Sequence, residues 1–111
     1  MHDQLPGDGL YPQTKPYKTD YLNVDGHQIH YELSGNPDGP TALFLHGGPG
    51  GGTSPRDRCF FNPDHYRVVL LDQRGSGKSI PNASKDYEGA LFNNTTQYLI
   101  EDIEQLREVL Q

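Results

Sequence analysis

The sequence has a single cysteine and no long apolar run, and each of these gaps excludes a class of protein. Because Cys59 is alone, the chain cannot form an internal disulfide or a cysteine-based metal cage. The apolar runs are only a few residues long, far below the ~20 that a membrane-spanning helix needs. The N-terminus lacks the charged and then apolar pattern of a signal peptide. We therefore expect a cytoplasmic protein with no membrane partner.

Basic residues are also few. The chain has 9 Lys and Arg against 15 Asp and Glu, which gives a formal net charge of −6. The two signs are interspersed and no basic patch is present, so nucleic acid is not an expected partner. His27, His30 and His65 lack the spacing of a metal site. A length of 111 residues is enough for one small domain but not for two.

The first half of the chain predicts an arm followed by a hairpin. Residues 1–20 are polar and contain prolines, and we expect an extended N-terminal arm ahead of residues 21–111. Residues 21–24 and 27–33 are expected strands, the second alternating polar and apolar residues as a half-buried strand does. Asp25-Gly26 between them is a strong turn signal, since both positions tolerate positive φ.

Two apolar runs, residues 42–45 and 68–71, have no such alternation. Continuous apolar runs are typical of parallel strands that helices cover on both faces. The 22 residues between the runs are enough for a crossover, and residues 55–61 are expected to form a short helix in it.

The end of the chain predicts an amphipathic helix. Leu99, Ile103, Leu106 and Leu110 recur at spacings of four, three and four residues, which gives one apolar stripe. Asn94, with Gln97 three residues later, is the expected capping box. Strands alternating with helices in this way predict an α/β protein.

The stretch from Asp72 to Ser79, DQRGSGKS, ends like the phosphate-binding loop G-x-x-x-x-G-K-[ST]. The first glycine of that pattern is replaced by Asp72, whose carboxylate would repel a polyphosphate. The loop must also lead into a helix, which Ile80-Pro81 breaks. A nucleotide-binding protein is therefore the weakest of the alternatives, and we expect a tight turn after the second buried strand.

A second glycine-rich loop, HGGPGGG at residues 46–52, follows the first buried strand. Five glycines in seven residues carry a large entropy loss on folding. The loop is predicted to lie where open α/β sheets bind ligands. Its backbone N–H groups could stabilise a developing oxyanion.

At this point a resemblance becomes clear. LFLHGGPGGG followed by VVLLDQRGSGKS resembles the proline iminopeptidase (prolyl aminopeptidase) family of α/β-hydrolases, and the similarity extends over nearly the whole chain. The resemblance implies that residues 21–111 are the N-terminal, incomplete portion of an α/β-hydrolase domain. It also implies a serine peptidase that releases N-terminal proline from peptide substrates, without a metal or an organic cofactor.

The resemblance assigns roles to two loops. In the first, His46, Gly47, Gly48, Pro49 and Gly50 form the oxyanion-hole loop, with the backbone N–H of Gly48 as the donor and His46 as a structural residue. In the second, the roles of Asp72, Arg74, Gly75 and Gly77 are structural. Cys59 is expected to be a small buried apolar residue rather than a reactive thiolate.

The nucleophile motif G-x-S-x-G does not occur in the sequence. The resemblance places the Ser, Asp and His of the catalytic triad downstream, so we expect a fragment, truncated before the nucleophile elbow and inactive by itself. Without the next strand, residues 42–45 should form an open apolar edge and make the chain poorly stable or prone to associate. No oligomeric state is predicted.

Two further hypotheses stay open. The chain could belong to another α/β-hydrolase, such as an epoxide hydrolase or an esterase, which shares an HG-containing loop and a later D-x-R-G-x-G loop. It could also be a non-catalytic remnant or binding module, which the absence of a nucleophile favours.

Overall fold

The structure, a computed structural model, describes residues 10–47 and 51–110. A four-stranded sheet, a 3-10 helix and two α-helices make up its regular elements. In chain order these are β1 (Lys18–Val24), β2 (His27–Gly35), β3 (Thr41–Leu45), the 3-10 helix (Pro55–Phe60), β4 (Arg67–Leu71), α1 (Tyr87–Leu91) and α2 (Thr96–Leu110). The expected α/β class is thereby confirmed. Of the predicted arm, residues 1–9 lie outside the described part, and β1 begins at Lys18.

The predicted hairpin is confirmed. β1 and β2 pair antiparallel, with Val24 opposite His27. Asp25 and Gly26 between them have φ values of 48° and 79°. Positive φ at both central residues is the turn geometry that follows the right-handed twist of a hairpin.

The two apolar runs form the expected parallel pair. β3 and β4 run parallel, with Leu45 beside Leu71, and β2 pairs antiparallel with the other side of β4. The strand order is therefore β1-β2-β4-β3. β4 is central and four of its five residues are buried, whereas β3 lies at the edge of the described sheet and its residues are half-buried or exposed. The predicted open edge is confirmed for the described residues.

Helix α2 covers one face of the sheet with the predicted stripe. Leu106 is buried, and Leu99, Ile103 and Leu110 pack against the same cluster of sheet residues. The burial of a side chain such as Leu106 contributes about 1.5–3 kcal/mol. Among the described residues, no helix combines the length and the apolar character that crossing a bilayer requires.

The capping box predicted at Asn94 is wrong. α2 begins at Thr96, and the carbonyl of Thr95 accepts the first helical hydrogen bond, from the N–H of Leu99 at 3.1 Å. The amide of Asn94 is instead engaged outside the helix, where Nδ2 donates to the carbonyls of Arg74 and Ala90 at 2.9 and 2.8 Å. Two backbone acceptors thus determine how the Asn94 side chain is used.

The opposite face of the sheet is covered by the crossover between β3 and β4. Phe44 of β3 stacks on Phe60 with ring centroids 5.8 Å apart, and Cys59 is buried in the 3-10 helix. The polar side of β2 is buried here as well, where Glu32 accepts a 2.7 Å hydrogen bond from Arg58. β2 is therefore buried on both faces rather than half-buried, because the crossover supplies a charged partner for its polar side.

Candidate functional site

The two loops singled out in the sequence leave the sheet side by side. β3 and β4 are parallel and end in register, with Leu45 paired to Leu71. The loops that begin at His46 and Asp72 therefore start next to each other at the carboxyl ends of the two strands. In open α/β sheets this is the end at which ligands bind.

His46 joins the first loop to the second. Its ring Nε2 accepts a hydrogen bond from the backbone N–H of Gln73 at 3.0 Å, and its backbone carbonyl accepts one from the Gln73 side-chain amide at 2.9 Å. The acceptor role of Nε2 leaves the imidazole proton of a neutral ring on Nδ1. His46 is buried, and its ring is hydrogen-bonded to Gln73. The ring therefore holds the two loops together.

Asp72 is the second link between the loops. Its Oδ1 accepts hydrogen bonds from the N–H and the hydroxyl of Thr53, both at 2.7 Å. Its Oδ2 accepts one from the N–H of Lys78 at 3.0 Å and lies 3.5 Å from Nδ1 of His30. Only 3% of Asp72 is exposed, so the stabilisation of this carboxylate comes from the protein rather than from water.

Two glycines make room for this carboxylate. A Cβ on Gly77 would lie 2.7 Å from Cγ of Asp72, and one on Gly52 would lie 2.9 Å from its Oδ1. Both glycines have positive φ, 53° and 72°. Glycine is therefore required at both positions, by the backbone angle and by the close approach of Asp72.

The geometry explains why GSGKS is not a phosphate loop. The N–H of Lys78, which would face a phosphate, donates to the Asp72 carboxylate instead. No helix follows it, since Ile80 exchanges two backbone hydrogen bonds with Gln28, at 2.8 and 2.9 Å. The anion bound in this turn is the carboxylate of Asp72.

Arg74 lies at the centre of a buried polar cluster. Its guanidinium makes two hydrogen bonds to the carboxylate of Asp102, at 2.8 and 2.7 Å, and both side chains are 2% exposed. It also donates to the carbonyl of Asn93 at 2.6 Å and to Asp25 at 3.1 Å, and it lies over the ring of Tyr98. This cluster ties α2 and the hairpin turn to the loop after β4.

The charge environment of Arg74 is favourable despite its burial. Burial alone lowers the pKa of the guanidinium, but hydrogen bonds and charges from Asp102 and Asp25 outweigh it and raise the pKa above its usual value. Arg74 therefore stays a cation in the folded chain.

The remaining candidate residues lie as follows. Gly47 is exposed next to His46, Gly75 forms an isolated bridge with Asn82, and Cys59 is a free, buried thiol. The predicted loop residues Gly48, Pro49 and Gly50 lie outside the described residues. Within residues 10–47 and 51–110, no group of three or more His, Cys, Asp or Glu side chains is arranged to hold a metal ion.

Three residues of the site were missed by reasoning from the sequence. Thr53 and Gln73 carry the contacts between the loops, and Asp102 carries the ion pair of Arg74. Asp102 lies three residues after Leu99 and four before Leu106, and this spacing on α2 is a signal for burial. Thr53 and Gln73 are ordinary polar loop residues, and nothing in their pattern distinguishes them.

Comparisons with known proteins match this arrangement. Residues 40–111 match the family described as alpha/beta hydrolase fold. The chain is 52% identical over 103 residues to a proline iminopeptidase of Arabidopsis thaliana, covering 92% of this chain and 26% of that protein. It is 50% identical over 102 residues to a proline iminopeptidase of Neisseria gonorrhoeae, covering 91% of this chain and 31% of that protein.

A solved structure is similar as well. The crystal structure of a proline iminopeptidase-related protein from Thermus thermophilus superposes with a TM-score of 0.64 at 35% sequence identity. The match covers 84% of this chain and 32% of that one. The chain thus spans about a quarter to a third of the length of the relatives that it matches.

Proposed function

The chain belongs to the alpha/beta hydrolase fold family, and we propose that it forms the N-terminal part of a proline iminopeptidase. Such an enzyme is a serine peptidase that releases N-terminal proline from peptides. The observation that carries the proposal is an identity of about one residue in two with proline iminopeptidases over nine-tenths of the chain. The paired loops at the carboxyl ends of β3 and β4 support it, because this is where a hydrolase of this fold binds its substrate.

In this proposal the chain contributes electrostatic stabilisation. The backbone N–H of Gly48 donates to the oxyanion that forms when a serine attacks the carbonyl of the N-terminal residue. A histidine takes the serine proton and later gives it to the leaving amine, and an aspartate orients that histidine. The sequence contains no G-x-S-x-G motif, and in this fold the serine precedes the aspartate and the histidine, so we place all three groups downstream of this chain. The 111-residue chain by itself should therefore have no peptidase activity.

The first experiment measures the intact mass of the native protein from its source cells and then assays that protein. The substrate is the 4-nitroanilide of proline, and the matched control is the same compound with its amine acetylated. We expect cleavage of the free-amine substrate only, and loss of that activity after treatment with a serine-directed fluorophosphonate. The 111-residue chain serves as the negative control.

The result that would contradict the proposal is equally clear. Hydrolysis of an aryl ester or an epoxide without cleavage of the proline anilide would identify a different α/β-hydrolase. A native mass of 12.4 kDa without activity on any of these substrates would favour the non-catalytic binding module.

We further propose that the protein is cytoplasmic. Cys59 is free and buried, and this supports a compartment in which thiols stay reduced. Fractionation of source cells, with the protein followed by antibody, tests it. Recovery in the secreted or membrane fraction would contradict it.

A further inference from the structure

A polar cavity lies on the crossover side of the sheet, next to the carboxylate of Asp72. Its volume is about 290 Å³. Pro16 of the arm and Thr19 of β1 form one wall, and the other walls are residues of β2, of the crossover and of the loop after β4. Because segments far apart in the sequence build this cavity together, it is a feature of the fold and not a dent in a single loop.

One wall of the cavity carries a carboxylate that is only partly used. The side chain of Glu32 is 12% exposed, and its Oε2 accepts a 2.7 Å hydrogen bond from Nη1 of Arg58. The other oxygen, Oε1, has no hydrogen-bond partner among residues 10–47 and 51–110, and it is not one of the fully enclosed atoms that lack a partner. Since each carboxylate oxygen can accept hydrogen bonds, Oε1 is open to a donor in the cavity.

A cation that lines the same cavity is also unpaired. Lys78 donates its backbone N–H to Asp72, but its exposed ammonium forms no ion pair or hydrogen bond within the described part of the chain. Asp72 does not need it, because donors of the chain already bind both of its oxygens. Glu32 pairs with Arg58 and not with Lys78. The cavity therefore offers two separate groups of opposite charge.

We propose that this cavity binds a small zwitterion of the free amino acid class, with its ammonium at Glu32 and its carboxylate at Lys78. At about 30 Å³ for each water, a volume of 290 Å³ corresponds to roughly ten waters. That is enough for one amino acid and too little for a peptide of several residues. The inference does not depend on the function proposed above, although a peptidase that releases N-terminal proline would produce such a molecule.

The charges around the cavity disfavour a ligand of one sign. Two carboxylates, Glu32 and Asp72, and two cations, Arg58 and Lys78, line it. A simple anion would gain the attraction of Lys78 but would also lie near the carboxylates, and a simple cation would lie near Arg58 and Lys78. A zwitterion meets each free group with the opposite charge, and such charge-assisted hydrogen bonds are the strong ones.

The first test titrates the isotope-labelled 111-residue chain with L-proline and follows the amide shifts by NMR. We expect saturable shifts at Glu32, Thr53 and Lys78, and none at Leu106, which lies on the other face of the sheet. The dissociation constant should be about 1 mM, which is reasonable for a ligand of about eight non-hydrogen atoms. N-acetyl-L-proline, which lacks the ammonium, and L-prolinamide, which lacks the carboxylate, should each bind at least about tenfold more weakly.

The main variant is Lys78→Gln, which removes the ammonium of an exposed residue but keeps the N–H that donates to Asp72. It should weaken binding of L-proline about tenfold and bring proline and prolinamide to similar affinities. The matched control Lys85→Gln removes an exposed lysine that does not line this cavity, and it should change the affinity by less than about twofold. Glu32→Gln should remove the preference for proline over N-acetylproline, and Lys78→Gln decides the matter if Glu32→Gln does not fold.

Several results would overturn the proposal. One is the lack of a saturable shift at about 50 mM L-proline, and another is a set of shifts away from the cavity. Equal affinity for N-acetylproline would make the cavity an anion site, equal affinity for prolinamide would make it a cation site, and either contradicts a zwitterion site. Thermal unfolding of the native protein that contains this chain gives a second readout, because a ligand of the folded state raises Tm. L-proline should raise Tm less in Lys78→Gln than in Lys85→Gln, and equal rises would refute the site.

Discussion

The buried ion pair between Arg74 and Asp102 allows the sharpest test of the structure. The perturbation is Asp102→Asn, which preserves size and helix propensity but removes the charge and one of the two acceptors facing the guanidinium. Arg74 would retain Asp25 at 3.1 Å and the carbonyl of Asn93 at 2.6 Å. Asp25 is 45% exposed, so water screens most of what it can contribute.

The magnitude follows from this burial. Both members of the pair are 2% exposed, and removal of one partner of a buried pair costs about 3–5 kcal/mol. Since Asn still accepts one hydrogen bond, we expect the low end, about 3 kcal/mol. The matched control Asp25→Asn should cost less than about 1 kcal/mol, because its pair is exposed. Asn also tolerates the positive φ of position 25.

Urea unfolding followed by far-ultraviolet circular dichroism measures both variants at low protein concentration. With a slope of about 1–3 kcal/mol per molar urea, a loss of about 3 kcal/mol lowers the midpoint by roughly 1–3 M. Asp25→Asn should move it by less than about one third of that amount. Equal shifts for the two variants, or no shift for Asp102→Asn, would refute the reasoning, because burial would then not determine the strength of the pair.

Three further predictions follow from single contacts. Burial, with a smaller contribution from Asp20, raises the pKa of Tyr31 above its ordinary value of 10.0. The contribution of Tyr31 to stability should therefore be present below the ordinary pKa of 10.0 and be lost as the pH rises above it. Tyr31→Phe should lose less stability than wild type over that rise in urea unfolding, and equal losses would contradict this. Gly77→Ala should cost about 1–3 kcal/mol more than Gly26→Ala, because both have positive φ but only at Gly77 does a Cβ meet another residue. Thermal unfolding measures this difference, and similar melting temperatures would refute it. Leu45→Lys, at a 42% exposed position on the edge strand, should reduce self-association in sedimentation velocity and change stability by less than about 0.5 kcal/mol; unchanged association would show that another surface is responsible.

The elements that were predictable from the sequence are those set by local rules. The Asp25-Gly26 turn and the apolar stripe of α2 each depend on residues close together in the chain. The parallel pairing of β3 with β4 follows from their continuous apolar character and the length of the crossover. Local chemistry and periodicity were sufficient for each of these features.

The features that the sequence did not indicate depend on contacts between distant segments. Asn94 has the chemistry of a helix cap, but the carbonyls of Arg74 and Ala90 use its amide. β2 alternates like a half-buried strand, but Arg58 of the crossover pairs with Glu32 and buries its polar side. In both cases a partner outside the segment overrides the local preference, and a pattern within one segment cannot identify that partner.

The strand order also has a consequence for synthesis of the chain. The hairpin of β1 and β2 can form as soon as it leaves the ribosome, since its strands are adjacent in sequence. β3 emerges next but has no neighbour, because β4 separates it from β2. At about 5–20 residues per second, the 26 residues from Leu45 to Leu71 take roughly 1–5 s to appear. During that interval the uncharged strand TALFL is an unpaired apolar segment of the nascent chain to which a chaperone can bind.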